Sequence, residues 1–503
     1  MAREYRPVDR SPVLFPEDPM KWLPQDHLVF FVMDAVEAVG VGEFDASFRL
    51  GGVGRAAYDP VMLATLLVYA YCVGEKSSRQ IEKKCSTDVA FRLVCGGRAP
   101  DHCTIARFRV RCSSALAGLL VKVLGLCVEA GMGRVGVVSV DGTKIGAPAS
   151  LQRNYSREHL RRLADELVAE AGRVDEAEDA QFGDRRGDEL PEVLAPGPDR
   201  VARIRRLAAL KRGREDRQGR VGQALDRIDR QEQVLISRDV EAVGRKLATA
   251  RRTYQRELRD ASRVRDSSRA VRVESRRRLM PVEERAAVRR AAQRVAKIEG
   301  ELVEAEGGRG LKAGKRIWKA NLSDPDSVAM PVRGGGFKQG FNSQIVVSDD
   351  HLILAADVWD TPTDQALFIP MMNQVVDQIG ACLPGRQIGL ILADAGYISH
   401  DAVVAEGPDR LIAVGRDPTR RKKPHTDPVL VAMGKRLENG TSEHETYKRR
   451  AATVETVFGN LKKTMKFTSF SRKGLQPARD EWRFLAAVFN LRRLAVTQGI
   501  ALP

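Results

Sequence analysis

Two apolar runs, each reaching an aspartate, stand far apart in this chain with a long charged segment between them. Val137-Val138-Ser139-Val140 leads to Asp141-Gly142, and Leu390-Ile391-Leu392-Ala393 leads to Asp394-Ala395-Gly396. Short apolar runs of this kind, closed by turn residues, read as buried strands. A chain with two of them has a sheet at its centre, and the charged segment between them has to leave that sheet and return. This restricts the fold to an α/β core carrying an insertion.

The remaining elements fit that plan. Residues 1–130 read as helical. Asp26 or Gln25 is placed to cap a helix through Leu28, Phe31, Val32, Ala35 and Val36. Asp59 followed by Pro60 starts an apolar helix to Val73, and Ser77 opens another. A further helix begins near Asp101-His102, with Ile105, Phe108 and Cys112 toward a core and Arg107, Arg109 and Arg111 accessible. Such a region suits either a helix-turn-helix-like DNA reader, with Arg107 and Arg109 as contacts, or a plain helical packing or dimerisation domain. Residues 131–150 carry the first strand, with Asp141-Gly142 as its closing turn. Residues 337–358 read as a hairpin turning at Asp349-Asp350. Then come a helix opened by Thr361-Pro362-Thr363-Asp364, the strand ending at Asp394, and a short strand Leu411–Val414. The polar stretch from Arg416 to Glu445 reads as a loop, and two helices, about 447–464 and 477–497, finish the chain. Strand, insertion, hairpin, helix, strand, helix, strand, helix is a mixed-sheet plan that fits an RNase H-like core formed by residues 131–150 and 321–503, with an all-α N-terminal domain.

Charge separates the insertion, residues 151–320, from the rest. The whole chain holds 83 Lys and Arg against 66 Asp and Glu, a formal +17. Residues 151–200 are mildly acidic, with 8 basic and 13 acidic residues, whereas residues 201–300 hold 29 basic and 14 acidic ones. Val240, Val243, Leu247, Tyr254 and Leu258 recur at helical spacing, which predicts long amphipathic helices, as in an antiparallel helical hairpin. The charge is a solvated face or a surface that tracks phosphates. A net positive balance points to a polyanionic partner. No apolar stretch is long enough to span a bilayer, the longest being Pro60–Val73, and the N-terminal residues lack the apolar core of a signal peptide. Seven cysteines with no Cys-x-x-Cys pair read as buried thiols in a reducing cytoplasm.

A third carboxylate, Glu455, lies in the basic helical segment Tyr447-Lys448-Arg449-Arg450 through Lys462. Two aspartates from strands and one helix glutamate supply the oxygen ligands that hard divalent cations take. Two Mg²⁺ ions about 4 Å apart hold the attacking and leaving oxygens of a phosphodiester displacement. Asp141, Asp394 and Glu455 are therefore candidate catalytic metal ligands, with Mn²⁺ able to substitute. Each has a plainer reading: a turn residue for either aspartate, an i±4 ion-pair partner for Glu455. Asp357 and Asp360, after the hairpin, are rival ligands. Glu455 and Lys462 are seven apart and share a helix face, so Lys462, with Arg449 or Arg450, can hold a phosphate beside the metals, and Tyr447 can stack on a base.

These segments resemble bacterial insertion-sequence transposases of the DDE superfamily. SVDGTKIGAPAS, LILADAGYIS and YKRRAATVETVFGNLKK resemble their three acidic motifs, KQGFNSQIVV the strand between the first two, and APDHCTIARFRVR the segment before the catalytic core. Arg450 and Glu455 are separated by four residues where three are usual, which leaves the choice between Arg449 and Arg450 open, while the spacing from Glu455 to Lys462 matches. The resemblance implies metal-dependent hydrolysis at the ends of an element, then attack of the exposed 3′-hydroxyl on target DNA. It implies Asp141, Asp394 and Glu455 as metal ligands, and Tyr447, Arg450 and Lys462 as contacts to the DNA end. It also implies double-stranded DNA as partner (terminal inverted repeats and target), a homodimer in the DNA complex, and a cytoplasmic, nucleoid-associated protein. A non-catalytic DNA-binding relative, or a nuclease on the same core that does not join, would share the pattern.

Overall fold

Capping residues set the starts of the first helices. In the computed structural model, residues 19–40, 42–45, 57–182, 200–270, 281–307, 318–332, 334–415 and 427–502 are described. Helix α1 (Leu28–Val39) starts after His27, whose imidazole accepts the Val29 N–H at 3.2 Å, so the cap is one residue beyond Asp26. After a single turn, α2 (Gly42–Asp45), comes α3 (Pro60–Cys72), capped by Asp59 at 2.7 Å from the Val61 nitrogen and begun by proline. Ten of its thirteen residues are buried, which accounts for its apolar character on all sides. Helices α4 (Ser78–Thr87), α5 (Val89–Val94), α6 (His102–Arg111) and α7 (Ser113–Glu129) follow, with Asp101 capping α6 through the Thr104 N–H at 2.8 Å.

Strand β1 (Val137–Gly146) corrects one expectation. Asp141-Gly142 is not a turn: the strand continues four residues past Gly142, because β5 (below) pairs with it along its whole length. The chain then forms β2 (Asn154–Ser156), α8 (Arg157–Phe182), α9 (Arg200–Ala270), α10 (Ala286–Glu306) and β3 (Lys319–Asn321). It returns as β4 (Val328–Pro331), β5 (Phe337–Ser348), β6 (Ile353–Trp359), α11 (Phe368–Cys382), β7 (Leu390–Ala393), α12 (His400–Val404) and β8 (Asp409–Ile412). Helices α13 (Pro428–Arg436), α14 (Ser442–Gly459) and α15 (Leu475–Thr497) complete it, with a π turn, Asn460–Thr464, prolonging α14. Part of the stretch expected as a loop is thus helical, since Asp427 with Pro428 and then Thr441 each cap a helix there; residues 416–426 of it lie outside the described residues.

Contacts divide the chain into two compact units, residues 1–151 with 326–503, and residues 152–325. The first unit is a mixed α/β fold. Its sheet runs β4-β5-β1-β7-β8, with β6 also on β5. β5 is antiparallel to β1, β4 and β6, while β7 and β8 lie parallel to β1. One apolar cluster extends from Leu28 and Leu67 in the N-terminal helices through Val140 and Ile391 in the sheet to Trp482 and Leu494 in α15, so the helical segment before residue 130 packs into the same unit as the sheet. Two polar contacts of α15 add direction to that burial. The Trp482 indole donates to the Gln344 carbonyl at 2.9 Å, and fully buried Asn490 accepts the Ile353 N–H at 2.8 Å and donates to its carbonyl at 2.9 Å.

The second unit is built on one long helix, α9, with α8 and α10 packed along it. Helix α9 has 71 residues, roughly 105 Å at the helical rise. α8 lies antiparallel to it, with Leu160 packed on Val221, Ala224 and Ile228. α10 does the same further along, where Val243, Leu247 and Ala250 meet Ile298, and Ala261 meets Val288. Among the described residues no single helix is long and apolar enough to cross a membrane. Five of the seven cysteines are buried, and no disulfide is formed.

Candidate active site

The parallel register of β1 and β7 places Val140 beside Ala393, so the next residues, Asp141 and Asp394, are neighbours where β7 ends. Asp141 is largely withdrawn from water. Burial raises its pKa above the ordinary carboxylate value, the charge of Asp394 adds to the rise, and Arg450 opposes it from 3.1 Å. Burial acts to lower the pKa of the Arg450 guanidinium, but Asp141, Tyr447 and Asp394 together outweigh it and hold Arg450 firmly charged. Each aspartate is fixed by a local backbone donor: Gly142 N–H to Asp141 and Gly396 N–H to Asp394, both at 2.8 Å.

Helix α14 brings the cations. Tyr447 donates to the Ala393 carbonyl at 3.1 Å, which ties the helix to the end of β7 immediately before Asp394. Arg450, one turn on, reaches Asp141. The π turn after α14 shifts the helix register, and from it Lys462 donates to the Thr143 hydroxyl. Strand residues alternate in direction, so Asp141 and Thr143 share a face of β1, and Arg450 and Lys462 both address that face. Arg449 is exposed, and its charge acts on Asp349 at the hairpin turn. Of the two adjacent arginines, it is Arg450 that meets the aspartates. Glu455 is exposed on α14 between Arg450 and Lys462. Among the described residues, no three His, Cys, Asp or Glu side chains gather closely enough to hold a metal ion. The structure thus joins Asp141, Asp394, Tyr447 and Arg450, sets Lys462 two residues further along β1, and leaves Glu455 outside the cluster.

The opposite face of β1 is backed by a polar network. Asp364 accepts from Asn342 at 2.6 Å, from Gln344 at 2.9 Å and from Lys144 at 3.3 Å. Gln344 also donates to Asn342 at 3.0 Å, and Tyr397 donates to the side-chain carbonyl oxygen of Gln344. Burial raises the Tyr397 pKa well above the usual phenol value, and the charges of Asp364, Asp141 and Asp394 add to it, so the phenol stays a donor. Two glycines make room. A Cβ on Gly142 would lie 2.8 Å from the Gln344 side-chain carbon, and one on Gly396 would lie 3.0 Å from the Asp394 carboxylate and 3.5 Å from that of Asp364. Sequence reading missed this layer, although one signal was present: Asn342 and Gln344 are two apart in a strand and so place two amides on one face.

Two further expectations are corrected. Arg109 is not accessible; it is buried against the Tyr71 ring at 5.4 Å. The spacing accounts for this, since residue 109 follows Ile105 by four and falls on the buried stripe with Phe108 and Cys112. Arg107 remains exposed. Asp357, a rival ligand, is paired with Arg479 at 3.1 Å and Arg483 at 3.3 Å, which assigns it to docking α15.

Comparison with known families finds two matches. Residues 17–111 match the family described as Transposase domain (DUF772), and residues 422–495 match the family described as Transposase DDE domain. No curated protein and no solved structure matches the chain. The second match covers α14 with Tyr447, Arg450, Glu455 and Lys462, the helix that meets Asp141 and Asp394. One transposase-domain match before the sheet and a DDE-domain match over its closing helices together support an insertion-sequence transposase of the DDE type.

Proposed function

We propose that this transposase cleaves the phosphodiester at the ends of its element in a divalent-metal-dependent reaction and joins the freed 3′-hydroxyl to target DNA, on an RNase H-like core. The observation that carries the proposal is the parallel register of β1 and β7, which sets Asp141 beside Asp394 just past the end of β7, with Arg450 of α14 at 3.1 Å from Asp141. In chain order Asp141 lies on the first strand of the sheet, and Asp394 follows β7, the fifth, which is its neighbour. The donor set suits a hard cation: two carboxylates from adjacent strands, one buried enough to resist ionisation, gain from a divalent positive charge. Asp141 and Asp394 would hold Mg²⁺, or Mn²⁺ in its place, and we assign Glu455 as the further ligand brought in from α14. When bound, such ions stabilise phosphoryl charge and acidify water.

The chain's own residues define the rest of the reaction. Arg450 neutralises Asp141 and is positioned to exchange that contact for a phosphate oxygen, to which a guanidinium binds in a fixed fork. Lys462 supplies a second cation on the same face. Tyr447 holds α14 against the strand end, which keeps Arg450 at Asp141. The Asp364–Gln344–Tyr397 network fixes β1 from behind and limits the motion of Asp141 during the displacement. Duplex DNA, as element ends and target, is the substrate, and we assign a homodimer to the complex that joins two ends. The test is incubation of the full chain with element-end duplex, target duplex and Mg²⁺ or Mn²⁺. Joined products support the proposal; nicked but unjoined ends indicate a nuclease, and binding without nicking a non-catalytic relative.

A further inference from the structure

The helical unit of residues 152–325 takes no part in the chemistry above, yet residues 201–300 hold 29 basic and 14 acidic residues. Some of these cations have structural work. Arg251 pairs with Glu299 at 2.6 Å, and Arg285 donates to the Ala261 carbonyl at 2.7 Å. A second set bridges no elements, its backbone contacts being those of Arg252 and Arg259 to the Ala248 and Gln255 carbonyls of their own helix, at 3.4 and 3.3 Å. Arg238, Arg245, Arg252 and Arg259 recur at every seventh position of α9, and all four are exposed. A seven-residue repeat drifts only about 20° around a helix, so these side chains form one stripe, about 31 Å long. Among the described residues, Arg238, Arg252 and Arg259 join no ion pair, and Arg245 reaches Glu241 only at 3.9 Å with both groups well exposed.

A second observation falls on the same stripe. At its middle, α9 and α10 enclose a groove of about 500 Å³ that carries Arg245, Lys246 and Arg294 among small side chains such as Ala242, Thr249 and Ala291, with no acid in its lining. A helix face that serves only solubility gains by alternating charges at i,i+4. This one concentrates cations about 10 Å apart, near one Debye length at physiological salt, where mutual repulsion is mild and attraction to a polyanion adds up. The length is close to one turn of B-form DNA, about 34 Å.

We infer that the Arg238–Arg245–Arg252–Arg259 stripe, with the groove at Arg245 and Arg294, is a sequence-independent binding surface for the phosphate backbone of duplex DNA. The inference is independent of the assignment of the catalytic carboxylates. It is tested with the full chain by fluorescence anisotropy on a 30-base-pair duplex of arbitrary sequence, as a function of salt. Replacing all four arginines by glutamine is expected to weaken binding and to make the slope of log K against log salt shallower by about 3 to 4, at about 0.9 for each phosphate that is no longer neutralised. Replacing all four by lysine keeps the charge and is expected to retain the slope. Unchanged affinity and slope in the glutamine variant would overturn the inference, as would a lysine variant that loses as much as the glutamine one. Loss confined to an RNA duplex of the same sequence would overturn the assignment to DNA. If the fourfold glutamine variant loses helix by circular dichroism, the four single Arg→Gln variants decide: each is expected to lower the slope by about one, and no change in any of them is a refutation.

Discussion

Gly142 follows Asp141 in β1, yet its role concerns the opposite face of the sheet. Gly142→Ala places a methyl 2.8 Å from the Gln344 side-chain carbon. A long amide would ordinarily swing aside at little cost. This one is held by three hydrogen bonds, to Asp364 at 2.9 Å, to Asn342 at 3.0 Å and from Tyr397. Displacing it breaks one bond to a charged group, worth about 1.5–3 kcal/mol, and strains two neutral ones, worth about 1 kcal/mol each. Partial relaxation and the removal of a glycine from a strand, worth about 0.5–1 kcal/mol, offset part of this. The net expectation is a loss of about 2–3 kcal/mol. The clash exists only while Gln344 is present, so in a Gln344→Ala background the same Gly142→Ala change is expected to lose its cost and to stabilise by about 0.5–1 kcal/mol, a coupling at the upper end of the range measured for contacting residues. The assay is denaturant unfolding followed by tryptophan fluorescence, since Trp482 donates to the Gln344 carbonyl and reports the first unit directly. Equal destabilisation in both backgrounds would refute the reasoning.

Three shorter expectations follow from single contacts. Asp357→Asn weakens the pairing with Arg479 and Arg483 and lowers stability by about 1–3 kcal/mol; the folded variant still cleaves, whereas loss of cleavage without loss of fold would make Asp357 a ligand after all. Asp409 has its pKa lowered, first by its hydrogen bonds from Arg436. A depressed folded pKa stabilises above the unfolded value and the gain is lost as pH falls through the folded one, so the melting temperature of Asp409→Asn is expected to lie below that of the native chain at pH 6 and to converge on it below about pH 3.9. Arg450→Ala removes the cation facing Asp141, and binding to element-end duplex is expected to weaken with a salt slope shallower by about one.

Local patterning revealed much of the scaffold. The valine run of β1, the hairpin of β5 and β6, the caps at Asp59 and Asp101, and the long charged helices each rest on interactions within a few residues, and sequence carries those directly. What it hid depends on partners far away. Asp141-Gly142 has the composition of a turn, and only its pairing with Ile345 and Gln344 keeps it in a strand. Arg109 has the composition of a surface residue, and only Tyr71 and the approach of α15 make its site buried. Asp364 opens a helical stretch and has the composition of a cap, but its carboxylate is turned toward β1 and β5. The pairing of Asp141 with Asp394 was legible because two apolar runs of similar length in an α/β plan tend to become neighbours. The placement of Glu455 was not, since its distance from the aspartates depends on how α14 lies across the sheet.

Cleavage of element-end duplex by Asp141→Asn, Asp394→Asn and Glu455→Gln, each scored beside its binding to the same DNA, tests the assignment of the three carboxylates most directly. Each variant is expected to bind as the native chain does and to cut no detectable product. A variant that cuts at the native rate would remove its residue from the reaction, and native cutting by Asp141→Asn would contradict the account at its centre.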